Sequence, residues 1–230
     1  MTNGGLTPKK LQYPDTQIII FAREPVCGQV KTRLIPALGA AGATELYTAL
    51  LDFTLNKTHT YHLAPVCLCI TPESRNAFFL KRYPFTEFQI TKQRGDDLGQ
   101  RMANVLKQSL SHFSRAILIG TDCPFLNQSD LEQAIEVLDT HDMVFSPARD
   151  GGYVLVGARR PVPGSFTGID WGSEQVMRQT RKRLTELKIS WQELARQQDI
   201  DDENDLKCLQ HVHEFSNAFP HILNIINRHS

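Results

Sequence analysis

Three cations, a proline and a glycine crowd the stretch FAREPVCGQVKTRL at residues 21–34. Arg23, Lys31 and Arg33 have the chemistry to hold phosphate oxygens by charge-assisted hydrogen bonds, the guanidinium groups with two-pronged contacts. Gly28 removes a Cβ from the path of an anion toward backbone N–H groups. The spacing is not that of a G-x-x-x-x-G-K-[ST] loop, and the same residues also fit a solvated basic turn. A second candidate is Asp122, which follows the apolar run AILIG at 116–120 and precedes Cys123-Pro124. A carboxylate leaving a buried strand into a cleft suits Mg2+ or Mn2+, hard ions that need few protein ligands when phosphates supply the rest. Asp122 could instead cap the next helix, but Asn127 and Ser129 are better placed for that.

The densest acidic run is DIDDEND at 199–205. Asp199 and Asp201 alternate about Ile200, so an extended chain turns both to one side. Either would supply a second carboxylate to a metal held by Asp122, if the fold brings them together. From Asp202 onward the run also reads as a helix start, with acids favoured by the macrodipole. The fourth segment, PARDGGY at 147–153, has paired glycines that permit close approach of a ligand, while Asp-Gly is equally a hairpin signal. Cys27 stands among the loop cations and reads as a bystander, since no histidine lies near it in sequence. A hydrolase built on Cys27 or Cys123 would need an activating histidine, and all eight histidines avoid these four segments. Cys67 and Cys69 alternate in an apolar run and are expected in the core.

Short apolar runs alternate with longer helical patterns along the rest of the chain. Strands are predicted over 17–22, 65–70, 87–91, 116–120, 143–146 and 153–156, with a short run at 189–191. Helices are predicted around Leu46 to Phe53, over 73–80, from Leu98 to Phe113, around Leu131 to Leu138, from Val176 to Leu187, and from Glu203 onward. This order predicts an α/β fold of three layers, α/β/α, with a mostly parallel sheet. Ligands of such sheets lie at the carboxyl ends of strands near a switch point, which is where the first two candidate segments fall.

The whole of 1–230 reads as a single domain, with 1–15 a loose extension, since no repeat, low-complexity tract or linker divides it. Twenty-five Lys and Arg balance 25 Asp and Glu, so the broad basic field of a nucleic-acid binder is missing. Hydrophobic residues at 41% and charged residues at 22% are ordinary for a folded chain. No apolar run is expected to span a bilayer, and no apolar segment follows the first basic residues as a secretory signal requires. Five cysteines without a C-x-x-C pair fit a reduced, cytoplasmic protein.

Taken together, these segments resemble the bacterial DUF2064 family, which is labelled glycosyltransferase-like. That family has the nucleotide-diphospho-sugar transferase (GT-A, Rossmann-like) fold, alongside molybdenum cofactor and 2-phospho-L-lactate guanylyltransferases. The resemblance is carried by FAREPVCGQVKTRL, DDLGQRM at 96–102, LIGTDCPFL at 118–126, ARDGGYVLVG at 148–157, GIDWGSEQV at 168–176 and DIDDENDL at 199–206. It implies that Arg23, Gly28, Lys31 and Arg33 cradle a nucleotide's phosphates and that Asp97, Leu98 and Gly99 line the nucleotide. Asp122 and Asp201 fall on the metal positions, with Lys31 and Asp122 the catalytic pair. Asp150, Gly151, Gly152, Tyr153 and Trp171 lie toward the acceptor. Arg149 replaces a glutamate of the family pattern, and Asp170 replaces a less polar residue. The expected activity is an Mg2+- or Mn2+-dependent transferase that binds a nucleoside triphosphate or a nucleotide sugar and passes a group to a small-molecule acceptor. The basic loop favours nucleotidyl transfer and the family label favours glycosyl transfer. The alternative is a catalytically inactive nucleotide-binding or regulatory module of the same fold, for which Arg149 beside Asp150 is the motive.

Overall fold

The computed structural model describes residues 10–71, 73–83 and 88–228. Among them, seven strands form one sheet: β1 (Thr16–Ala22), β2 (Val66–Ile70), β3 (Gln89–Lys92), β4 (Arg115–Ile119), β5 (Met143–Pro147), β6 (Tyr153–Ala158) and β7 (Trp191–Glu193). Their order across the sheet is β3-β2-β1-β4-β6-β5-β7. β1 pairs in parallel with both β2 and β4, whereas β6 runs antiparallel between β4 and β5. The chain therefore leaves β1 toward one edge and returns to its other side at β4. That reversal is a topological switch point, and the carboxyl ends of β1 and β4 frame a crevice there.

The predicted strands hold because both faces of the sheet are covered. Ile18, Ile20 and Ala22 pack on one face with Leu51, Leu55 and Leu131, while Ile19 packs on the other with Met102, Leu106 and Met177. Cys67 and Cys69 are buried on that second face, as the alternation required. Four long helices supply the layers: α1 (Ile35–Thr60) and α4 (Gln128–Val137) on the first face, α3 (Leu98–Ser109) and α5 (Val176–Glu186) on the second. A short helix, α2 (Asn76–Arg82), joins β2 to β3, and α6 (Glu203–Leu206), α7 (His213–Ala218) and α8 (Pro220–Arg228) close the chain.

Several sequence expectations change: the run at 189–191 becomes a strand at Trp191–Glu193, the helix over 73–80 lies at Asn76–Arg82, and the helix from Leu98 ends at Ser109. The strand predicted over 87–91 is observed at Gln89–Lys92, and Glu87 lies outside the described residues. Residues 1–9 of the expected loose extension also lie outside them, but its end is anchored: the Gln12 and Tyr13 amides donate to the His62 and Leu63 carbonyls, and Asp15 accepts from the Ser114 amide. Finally, the stretch Thr32–Thr60 is long and apolar enough to cross a bilayer by length and composition. A helix packed inside a folded domain meets that description as well. The α1 helix is sandwiched, with Leu51 and Leu55 against the sheet and Leu46, Leu50 and Phe53 against Phe215, Ile222 and Ile226 of the C-terminal helices. Apolar residues therefore surround it instead of forming one stripe.

Candidate functional site

A cleft of about 710 Å³ opens at the switch point and is lined by Arg23, Lys31, Arg33, Asp122, Asp150, Asp199 and Asp201 at its charged end. Phe21, Leu98, Met102, Tyr153 and Trp171 line the remainder. Residues far apart in sequence meet here because the chain after β7 is led along the sheet edge. The Leu194 amide donates to the Phe145 carbonyl, the Gln197 amide to Pro147, and the Ile200 amide to Asp122 (2.9 Å). The last bond stitches the acidic run onto the loop that leaves β4. Ile200 is fully buried, and Asp199 and Asp201 on either side of it both reach the cleft, as their alternation predicted.

Lys31 is the hub. Its ammonium lies 3.0 Å from Asp122 Oδ2 and 3.6 Å from Asp201 Oδ1, and it donates to the Ile200 carbonyl at 2.5 Å. The lysine side chain is 3% exposed, whereas those of Asp122 and Asp201 are 45% and 34% exposed. Its backbone is left-handed, φ 47° and ψ 44°, a conformation that costs a non-glycine residue about 1–3 kcal/mol and persists only where the surroundings enforce it. Arg33 donates to Asp201 Oδ2 at 2.5 Å, and its side chain is 65% exposed. The other Asp122 oxygen accepts from the Thr121 hydroxyl at 3.3 Å.

A buried second layer on α1 holds these loops in place, and sequence reading missed it. The Tyr47 hydroxyl accepts from the Arg23 amide (2.9 Å) and donates to the Arg23 carbonyl (3.1 Å), and burial pushes its pKa up to about 12. Lys57 donates to the carbonyls of Pro124 (3.0 Å) and Leu126 (2.5 Å), fixing the turn that follows Asp122. Burial brings its ammonium down to about 8, and the Phe53 ring lies 4.8 Å from the nitrogen. No motif announces either residue, because each works through backbone groups brought near by the fold. Glu24 ties the β1 loop to the β2 loop: it accepts from the Arg75 amide (2.8 Å) and guanidinium, which hold its carboxyl below the usual range.

Asp199 reaches the cleft together with Asp201, as expected of the first acids of the run. Its pKa is raised to about 6 by burial and then by the neighbouring Asp150 carboxylate. Asp150 and Gly152 lie on the cleft wall, and Asp150 Oδ1 accepts from the Gly152 amide at 2.8 Å. The hairpin reading of this turn is also right, since β5 and β6 pair antiparallel across it. Tyr153 lines the cleft, and its hydroxyl is buried. The Trp171 ring packs edge-on to Tyr153, with centroids 6.4 Å apart.

Four expected site residues lie off the cleft wall. Gly28 sits in the exposed turn with φ 77°, a left-handed backbone that favours glycine, and a Cβ there would meet nothing within 4 Å. Asp97 caps α3, accepting from the Gln100 amide at 2.7 Å. A Cβ on Gly99 would stand 2.8 Å from the Trp171 ring, so this glycine exists to let the tryptophan pack. A Cβ on Gly151 would reach within 2.2 Å of the Glu174 carbonyl oxygen, so that close approach is to protein, not ligand. Leu98, by contrast, is 44% exposed and lines the cleft. Arg149 is exposed and is not among the lining residues. Burial pushes the Cys123 thiol up to about 12, the wrong direction for a nucleophile.

Among the described residues, no three His, Cys, Asp or Glu side chains are grouped to hold a metal by themselves. The donor set here is two carboxylates that already share one cation, the Lys31 ammonium. That set fits a hard divalent ion whose remaining ligands are phosphate oxygens and water.

The profile of the family described as "Uncharacterized protein conserved in bacteria (DUF2064)" matches residues 54–173, just over half of the chain. Among solved structures, a candidate nucleotide-diphospho-sugar transferase of Desulfovibrio desulfuricans G20 is 25% identical, covering 93% of this chain and 98% of its own, with a TM-score of 0.82. A cytidylyltransferase of Leptospira borgpetersenii is 15% identical over 93% of this chain and 97% of its own, with a TM-score of 0.57. The 4-diphosphocytidyl-2C-methyl-D-erythritol synthase of Anaerococcus prevotii DSM 20548 is 10% identical over 87% and 99%, with a TM-score of 0.56. The fold is thus that of the nucleotide-diphospho-sugar transferases. No curated protein matches the chain by sequence.

Proposed function

The chain belongs to the DUF2064 family, and we propose that it is a divalent-metal-dependent transferase acting on a nucleoside triphosphate or nucleotide sugar. The observation that carries this reading is the meeting of Lys31, Asp122 and Asp201 in one cleft at the carboxyl ends of β1 and β4. The solved neighbours, named as nucleotidyl and sugar transferases, support the nucleotide-related chemistry.

Asp122 and Asp201 would hold Mg2+ or Mn2+. When bound, such an ion neutralises phosphate charge and orients the polyphosphate. Arg23 and Arg33, which both line the cleft, would meet phosphate oxygens, and Lys31 would add a third charge. Tyr47 and Lys57 keep the two loops from moving, so that alignment and charge, rather than covalent chemistry, would supply the rate. The Trp171 ring, the Tyr153 ring and Asp150 form the wall left for the acceptor. The density of cations on the β1 loop favours pyrophosphate-releasing nucleotidyl transfer over sugar transfer, since it offers charge to a leaving polyphosphate.

Calorimetry with a panel of nucleoside triphosphates and nucleotide sugars, with and without Mg2+, tests this proposal. At least one triphosphate is expected to bind more tightly with the ion. Binding that ignores the metal throughout would point instead to an inactive nucleotide-binding module.

A further inference from the structure

In this structure the Lys31 ammonium is enclosed by protein oxygens: it donates to the Ile200 carbonyl at 2.5 Å and forms ion pairs with Asp122 at 3.0 Å and Asp201 at 3.6 Å. With its side chain 3% exposed, it is held against these acceptors and away from the open cleft. We propose that Lys31 is the resident cation of the two-carboxylate site, and that its exchange for a divalent ion makes metal and polyphosphate bind as one unit. The inference rests on the transferase reading above and adds the order in which that site fills.

The argument is one of charge and partners. Asp122 and Asp201 are already neutralised by Lys31 and Arg33. A divalent ion arriving alone competes with the ammonium for both carboxylates, and leaves it with the Ile200 carbonyl alone beside a second cation. A buried ammonium stripped of its counter-charges is costly. A polyphosphate changes the balance, because its oxygens can receive the released ammonium while they complete the metal's shell. Each ligand then favours the other, which is positive coupling between two sites joined by one side chain. Arg33 needs no such exchange, since its exposed guanidinium has donors to spare beyond Asp201.

Mn2+ titration of the full chain, followed by the electron paramagnetic resonance of the free ion, separates the possibilities. Lys31→Met is expected to bind Mn2+ alone about tenfold more tightly than the unsubstituted protein, within the usual range of such coupling. Adding Asp122→Asn should abolish that gain. Unchanged or weaker Mn2+ binding by Lys31→Met, with Asp122→Asn still abolishing it, overturns the exchange and leaves the transferase reading intact. Mn2+ binding indifferent to Asp122 in both backgrounds overturns the transferase reading itself. Should Lys31→Met fail to fold, the unsubstituted protein answers through the Cε resonance of Lys31, assigned with Lys31→Arg. That resonance is expected to move when Mg2+ and inorganic triphosphate are added together and to stay in place with Mg2+ alone. A full shift on Mg2+ alone, or none with both, contradicts the inference.

Discussion

Two aspartates sit at opposite ends of the central strands, each beside a cation, and they are built differently. Asp142 immediately precedes β5, at the end of the sheet away from the cleft. It accepts from Arg160 Nε (2.7 Å) and Nη2 (2.9 Å), the Ser190 amide (3.2 Å) and the Ser190 hydroxyl (3.0 Å), with only 11% of its side chain exposed. The Arg160 guanidinium, with the Ser190 groups, holds its carboxyl well below the usual carboxylate range. Asp122 has one ammonium on one oxygen, a long hydroxyl contact on the other, and nearly half its side chain in the open cleft. Both are aspartate–cation pairs. A saturated carboxylate holds structure together, whereas an unsaturated one at a strand's carboxyl end keeps acceptor capacity for something not yet bound.

Substitutions that remove charge while keeping volume sharpen this contrast. Asp142→Asn is expected to cost about 2–3 kcal/mol in urea unfolding at neutral pH, because it strands a bidentate arginine and the Ser190 donors. The sign of its pH dependence follows from the depressed pKa. The stabilisation is complete above the ordinary value of 3.8 and is lost as the pH falls below it. The unsubstituted protein should therefore lose stability more steeply in acid than the variant. An equal acid slope in both proteins would remove Asp142 from this role.

Asp199→Asn should act the other way and more weakly, raising stability by about 1 kcal/mol at pH 7 after allowance for solvent screening. Asp199 has its pKa raised to about 6, so between 3.8 and 6 the native state holds more protons than the unfolded chain. The gain is then present above pH 6 and gone below 3.8. A loss of stability at pH 7 would show that Asp199 supports the fold. The smallest effect is expected from Asp122→Asn, within about 1 kcal/mol, since no packing depends on it. A loss comparable to that of Asp142→Asn would erase the distinction between the two sites.

Much of this was readable before any coordinates. Alternation of apolar runs with helical patterns specified the α/β order, because strands buried on both faces must be continuously apolar. The I-L-I-G-T-D sequence put Asp122 at a strand's end, and Asp199-Ile200-Asp201 could turn both acids one way only if extended. Asn127 does cap α4, with Asp130 reciprocating, which leaves Asp122 uncommitted as its position suggested. What sequence could not disclose was partnership. Tyr47 and Lys57 look like ordinary helix residues until the fold lays α1 beneath two loops. Gly99 and Gly151 carry no mark to distinguish a glycine that admits Trp171 or Glu174 from one that admits a ligand. Lys31 was legible as a cation in the right loop, but its burial between two carboxylates depends on the chain's return along β5 and β7.

The central claim is that Asp122 and Asp201 jointly bind a divalent ion that also touches a polyphosphate. An anomalous difference map from a crystal grown with Mn2+ and a nucleoside triphosphate tests it most directly. The account predicts one peak within coordination distance of both carboxylates, with phosphate density adjoining it and Lys31 turned toward that density. Bound triphosphate with no peak between the two aspartates, or a peak elsewhere in the cleft, would contradict it.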